Sequence, residues 1–112
     1  MQKEAEGHEP RECDAGLTQA FKFLGKRWNG VLIGTLVQGP AGFAELKRAV
    51  AGISDSVLSE RLTELTAAGL AQRTVDEGPP ITVVYSATEA SKALIPALDA
   101  IASWARDNLT GP

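Results

Sequence analysis

Apolar residues recur at helical spacing in several stretches of the chain, and two short stretches are rich in strand formers. From Asp14 to Leu24, the residues Leu17, Ala20, Phe21 and Leu24 fall at i, i+3, i+4 and i+7, which is one face of a helix. Gly25 interrupts this pattern, and Arg27 to Val37 forms the next helix, with Trp28, Val31, Leu32, Thr35 and Leu36 on one side. Gly39-Pro40 stops it. Phe43, Leu46 and Val50 mark a shorter amphipathic run, followed by the tight turn Ala51-Gly52-Ile53. From Ser54 to Ala68, Leu58, Leu62 and Leu65 form a single apolar stripe. Leu70 to Val75 and Ile81 to Ser86 read as strands around the turn cluster Asp76-Glu77-Gly78-Pro79-Pro80. A last helix runs from Thr88 to about Asn108, carrying Leu94, Leu98, Ile101 and Ala105 on one stripe. Pro96 lies inside it and predicts a kink or a short break.

The stretch from Gly52 to Leu70 organises the rest. Ser54 stands where a hydroxyl can accept from an orphaned backbone N–H, so it is the expected N-cap. Asp55 in the first turn suits the positive end of the helix dipole. Gly69 is placed to end the helix in a left-handed conformation. At about 100° per residue, Ser56, Ser59, Glu60, Thr63 and Ala67 point away from the leucine stripe. A helix, a short glycine turn and a second helix form a helix-turn-helix, whose second helix enters the major groove of DNA. The two strands after it make a wing. The expected fold is therefore mainly α with a small β-hairpin wing, a winged helix-turn-helix spanning residues 13–110 behind a flexible acidic arm, 1–12.

The chain of 112 residues has a net charge of −3, which is not that of a simple basic DNA binder. Residues 1–14 hold five acidic and two basic side chains, so the remainder is neutral, with nine of each. A neutral body can still bind DNA if its basic residues share one face. The 44% hydrophobic content and the lack of any long apolar run fit a domain with one core and no membrane span. The polar start MQKEAEGHEP is unlike a secretory signal, and with a single cysteine the expected location is the cytoplasm. Nothing suggests an enzyme or a cofactor. His8 is the sole histidine, and there is no metal-ligand cluster, phosphate-cradling glycine loop or nucleophile–base pair.

These pieces together resemble the HxlR-type transcriptional regulators, a dimeric branch of the winged helix proteins related to the MarR group. The resemblance rests on Cys13, Gly25-Lys26-Arg27-Trp28, Gly39-Pro40 with Phe43, Glu45 and Leu46, and Gly52-Ile53-Ser54 with Leu58, Arg61, Leu62, Leu65, Gly69 and Leu70. Pro79-Pro80, Tyr85, Thr88, Leu94, Leu98 and Trp104 complete it. It implies a homodimer built from the first and last helices that binds a promoter through the recognition helix and wing. The chain departs from the family pattern at Gly42, at Asp55-Ser56 and at Thr82-Val83-Val84, where charged residues are common. Those departures predict weak phosphate contacts and a wing tip that contributes little.

The candidate site residues follow. Lys47, Arg48 and Arg61 are the cations nearest the DNA face, with Lys26, Arg27 and Arg73 as helpers, and the resemblance implies phosphate contacts for Arg48 and Arg61. Ser54 begins the recognition helix, and base reading falls to Ser56, Ser59, Glu60 and Thr63, with Glu60 suited to a cytosine amino group. The expected function is a homodimeric regulator, a repressor by default, on a pseudo-palindromic double-stranded operator. The alternative is a winged helix used only for protein contact. The expected signal is a small apolar or aromatic effector, with a candidate pocket at Phe21, Phe23, Trp28, Gly30, Gly34 and Trp104, and sensing through Cys13 is the alternative. For Gly30 and Gly34, four residues apart, close helix packing is the first reading and room for a ligand the second. Cys13 has three readings: a packed apolar residue, a contact in a ligand site, or a redox or electrophile sensor. Its place before a helix favours the thiolate, and its neighbours Glu12 and Asp14 oppose it.

Overall fold

The protein is described here by a computed structural model covering residues 11–109. The proposed arm thus lies almost wholly outside the described residues. Among the described residues, six helices and one hairpin follow the order α1 (Ala15–Leu24), α2 (Asn29–Leu36), α3 (Phe43–Ala49), α4 (Asp55–Ala67), β1 (Ala71–Asp76), β2 (Thr82–Ala87), α5 (Glu89–Ala93) and α6 (Ile95–Asn108). This is a winged helix-turn-helix.

Local chemistry sets the ends of these elements. The Asp14 carboxylate caps α1 by accepting from the Leu17 amide at 2.8 Å, and Ser54 Oγ caps α4 by accepting from Val57 at 3.2 Å. Gly69, at φ +78°, follows α4 as the left-handed residue that closes a helix. Helix α2 starts two residues later than the periodicity of its apolar positions suggests, because 25–28 is taken up by turns in which Lys26 N–H bonds Phe23 O and Asn29 N–H bonds Lys26 O. Asn29, fully buried, donates from Nδ2 to the Phe23 carbonyl at 3.1 Å and so joins α2 to the end of α1. Pro96 is the second residue of α6, and the helix predicted from Thr88 to Asn108 breaks at Leu94 into α5 and α6. Proline is tolerated there because the amide it lacks has no partner in the first turn of a helix.

The core lies between α2, α3, α4 and the base of the wing. Leu32, Ile33, Leu46, Leu58, Leu62 and Leu65 are each 0% exposed, with Leu36, Val50, Ile53 and Ala71 beside them. Strands β1 and β2 pair antiparallel from Ala71↔Ala87 to Asp76↔Thr82. Ala41 extends the ladder by exchanging two backbone bonds with Tyr85, at 2.9 and 2.8 Å. Thr88 Oγ1 donates to the Gly69 carbonyl at 2.7 Å while accepting from Ser91 N–H, which ties the exit of the wing to its entry. No described helix is long and apolar enough to cross a membrane.

Helices α1 and α6 sit outside this core, and neither contains a buried residue. Leu17, Phe21, Ile101 and Trp104 are exposed, Phe21 by 50% and Trp104 by 55%. The core's dependence on α4 has a direct test. Leu62→Ala should lower unfolding stability by about 2–5 kcal/mol without changing the denaturant m-value, as large-to-small core changes do. A loss below about 1 kcal/mol would place α4 outside the cooperative core.

Candidate nucleic-acid interface

Helix α4 carries two surfaces. Its inner side is the leucine stripe, and its outer side presents Ser56, Ser59, Glu60 and Thr63, all exposed. The outer side is therefore the one predicted from the helical wheel. The hydroxyls on it are not equivalent. Thr63 Oγ1 donates back to the Ser59 carbonyl at 2.9 Å, which leaves its lone pairs and its methyl group for a ligand. Ser54 Oγ is committed to the cap and lies 3.4 Å from Ser56 Oγ. Glu60 is exposed and sits 3.5 Å from Arg61 Nη2.

The cations differ from the expectation of free surface charges. Arg61 is 9% exposed, and its guanidinium pairs with Glu64 one turn along. Lys26, at the α1–α2 connection, reaches the same carboxylate, with Nζ 3.2 Å from Glu64 Oε2. Arg61 is thus turned inward, as part of a Lys26–Glu64–Arg61 cluster that joins the α1–α2 turn to α4. A cation held this way acts first on the position of α4. Lys47 on α3 is also engaged, with Nζ 2.8 Å from Asp55 Oδ1. Arg48 is exposed and has no ion pair among the described residues, as is true of Arg73 on β1, whose Cα pairs with that of Tyr85. Arg27 stacks over the Trp28 ring at 4.4 Å. Between Phe43 and Ala67 the chain carries three basic and four acidic residues, and two of the three cations are paired. The wing tip adds Asp76 and Glu77, which oppose phosphate.

The two ion pairs of Glu64 differ in how far the sequence announces them. The Arg61–Glu64 pair has the i, i+3 spacing of helix neighbours and was legible. Lys26–Glu64 spans 38 positions, and no local pattern announces it.

The six residues expected around an effector are not equivalent either. Phe23 and Trp28 pack against the core, while Phe21 and Trp104 lie on the open face. A Cβ at Gly30 would meet Leu24 and Leu98 side chains at 3.7 and 3.9 Å, which is the close-packing reading of that glycine. At Gly34 a Cβ would meet nothing within 4 Å. A cleft of about 320 Å³ opens elsewhere, between the end of α2 and α3, and is lined by Thr35, Gln38, Glu45 and Ala49 among others, and by none of the six. Cys13, just before the α1 cap, is exposed rather than packed.

Comparison with known proteins agrees with this geometry. Residues 23–111 match the family model for the HxlR-like helix-turn-helix. The chain is 38% identical over 89 residues to the HTH-type transcriptional regulator YodB of Bacillus subtilis, covering 80% of each protein. The reduced form of that regulator superposes with a TM-score of 0.79 at 34% identity, over 90% of this chain and all of the other. Its quinone-bound form superposes at 0.73 and 35% identity, over 85% of this chain and 99% of the other.

The split between engaged and free cations predicts different mutant behaviour. Arg48→Ala should leave stability within about 0.5 kcal/mol, as for a surface change. It should weaken binding to all DNA sequences alike and flatten the salt dependence by about one contact per chain. Arg61→Ala should instead cost roughly 0.5–3 kcal/mol of stability, because it removes a buried side chain and one of the two cations that hold Glu64. Equal stability losses in the two variants, read by thermal unfolding, would contradict this assignment.

Proposed function

The chain belongs to the HxlR-like helix-turn-helix family of transcriptional regulators, and from that premise we propose that it acts as a homodimer on a pseudo-palindromic operator, with repression as its default effect. The observation that carries this reading is the outer face of α4, where a capped and core-anchored helix holds Ser56, Ser59, Glu60 and Thr63 in solvent beside a hairpin wing. Such a helix fits a major groove, with half-sites about one turn of roughly 10 bp apart. Dimerisation is supported by the apolar side chains that α1 and α6 leave in water, since a patch of this kind on a small domain marks an interface. Trp104 is the natural anchor of that interface.

Sedimentation should give about twice the 11.8 kDa chain mass at micromolar concentration, and Trp104→Glu should return the monomer. A monomeric wild type would sink the dimer. In a gel shift with the DNA upstream of its own gene, salt-sensitive and sequence-selective binding supports the regulator. A well-folded dimer that binds no DNA there points to a winged helix used only for protein contact, a reading favoured by the acidic balance of the helix pair.

The signal enters, in this proposal, through Cys13. Support comes from its exposure next to the α1 cap, and from the quinone-bound and reduced forms in which the similar regulator YodB is known. The thiolate adds to a ring carbon of a quinone, a C–S bond forms, and the ring takes up the proton to become a hydroquinone thioether. With a single cysteine per chain, a diazene oxidant such as diamide, which takes up two electrons and two thiol protons to become a hydrazine, joins Cys13 by a disulfide to the thiol of a second molecule. Either product changes operator affinity only if it favours one dimer geometry over another. The competing route is an apolar effector held between Phe21, Phe23, Trp28 and Trp104 once a second chain covers the open face. Benzoquinone should release wild-type protein from its DNA and leave Cys13→Ser bound. Equal release of both proteins would move the sensor away from Cys13 and towards the aromatic cluster.

A further inference from the structure

Asp55 and Lys47 form a contact whose consequence is for DNA rather than for folding. Lys47 Nζ lies 2.8 Å from Asp55 Oδ1, with the two side chains 40% and 77% exposed. An ion pair in that much water adds little to stability. Its position is the informative part. Asp55 is the first residue of α4, so its carboxylate sits at the positive end of the recognition helix. Lys47 lies in the last turn of α3, on the neighbouring helix of the pair. A helix N-terminus beside a lysine is a combination that attracts phosphate oxygen. Here a carboxylate of the same chain already occupies it. On the helical wheel Asp55 lies at the α3-facing edge of the outer surface, next to Ser59 and away from the Glu60 edge.

We propose that Asp55 is an intramolecular competitor for DNA phosphate: it holds Lys47, lowers the sequence-independent part of DNA affinity, and leaves discrimination to the outer face of α4. This rests on the DNA-binding reading above. A phosphate that engages Lys47 must first displace the carboxylate, and it then meets the negative charge of Asp55 a few ångströms away. Arg48, one residue on and without an ion pair among the described residues, carries the phosphate contact that Lys47 withholds. Removing the carboxylate charge while keeping its shape frees the ammonium at no cost in packing.

The test is a double-mutant cycle of Asp55→Asn and Lys47→Gln on the full chain. Binding to a mixed-sequence duplex of about 30 bp is read by fluorescence anisotropy between roughly 50 and 200 mM salt. Asp55→Asn should tighten binding about 3- to 10-fold per chain and steepen the salt slope by about one contact. In the Lys47→Gln background the same change should have little effect. Thermal unfolding of each variant checks that it is folded, and Asp55→Ser carries the same test if the asparagine variant is not. Two results overturn the proposal while leaving the regulator intact. In one, wild type binds and Asp55→Asn gains nothing. In the other, the gain persists undiminished without Lys47, which would mean that Asp55 acts by direct repulsion of the duplex. Folded wild type and variants that all fail to bind any duplex, at any of these salt concentrations, would overturn the DNA-binding reading and this proposal together.

Discussion

The complete burial of Leu58, Leu62 and Leu65 is the constraint from which the remainder of the molecule follows. A helix of 13 residues is marginal in water by itself. Burying each leucine contributes about 1.5–3 kcal/mol, and the Ser54 cap adds about 1 kcal/mol. The seam therefore holds α4 as a rigid rod against α2, α3 and the wing base, and fixes its rotation about its own axis. That rotation decides which side chains remain in solvent. Ser56, Ser59, Glu60 and Thr63 form an outer face because the leucines have nowhere else to go.

Charge is arranged around that rod so as to hold it rather than to coat it. Glu64 takes Arg61 from its own helix and Lys26 from the α1–α2 turn, joining the recognition helix to the region from which the exposed α1 face begins. A shift of α1 in a dimer thus has a physical route to α4 through a shared carboxylate and through the Asn29 bond to the end of α1. Within the helix pair, Arg48 is the cation without an ion pair among the described residues.

Much of this was legible because it is local. The leucine spacing, the Ser54 cap, the left-handed Gly69 and the break at Leu94, just before Pro96, each depend on residues within a turn of one another. The hairpin was visible from the β-branched run of Ile81 to Ser86, with boundaries displaced by one residue. What the sequence concealed was the fate of its charges. Arg61 looked like a surface cation because a helical wheel counts it by residue type. Only the packed structure shows its long stem drawn inward to Glu64. Lys47 and Asp55 lie across a turn, where spacing rules make no statement. The aromatic residues looked like one cluster, yet packing divides them, because Phe23 and Trp28 serve the core while Phe21 and Trp104 remain on a face that a single chain cannot cover.

In the proposed docking, ion pairing inside the helix-turn-helix leaves Arg48 and Arg73 as the cations of the DNA face without an ion pair among the described residues. The salt dependence of wild-type binding to a duplex carrying its operator tests this most directly. Two free cations per chain in a dimer give a slope of log K against log salt of about −4 or shallower. A slope of about −7 or steeper would mean that Lys47 and Arg61 also leave their carboxylates for phosphate, and would contradict the account.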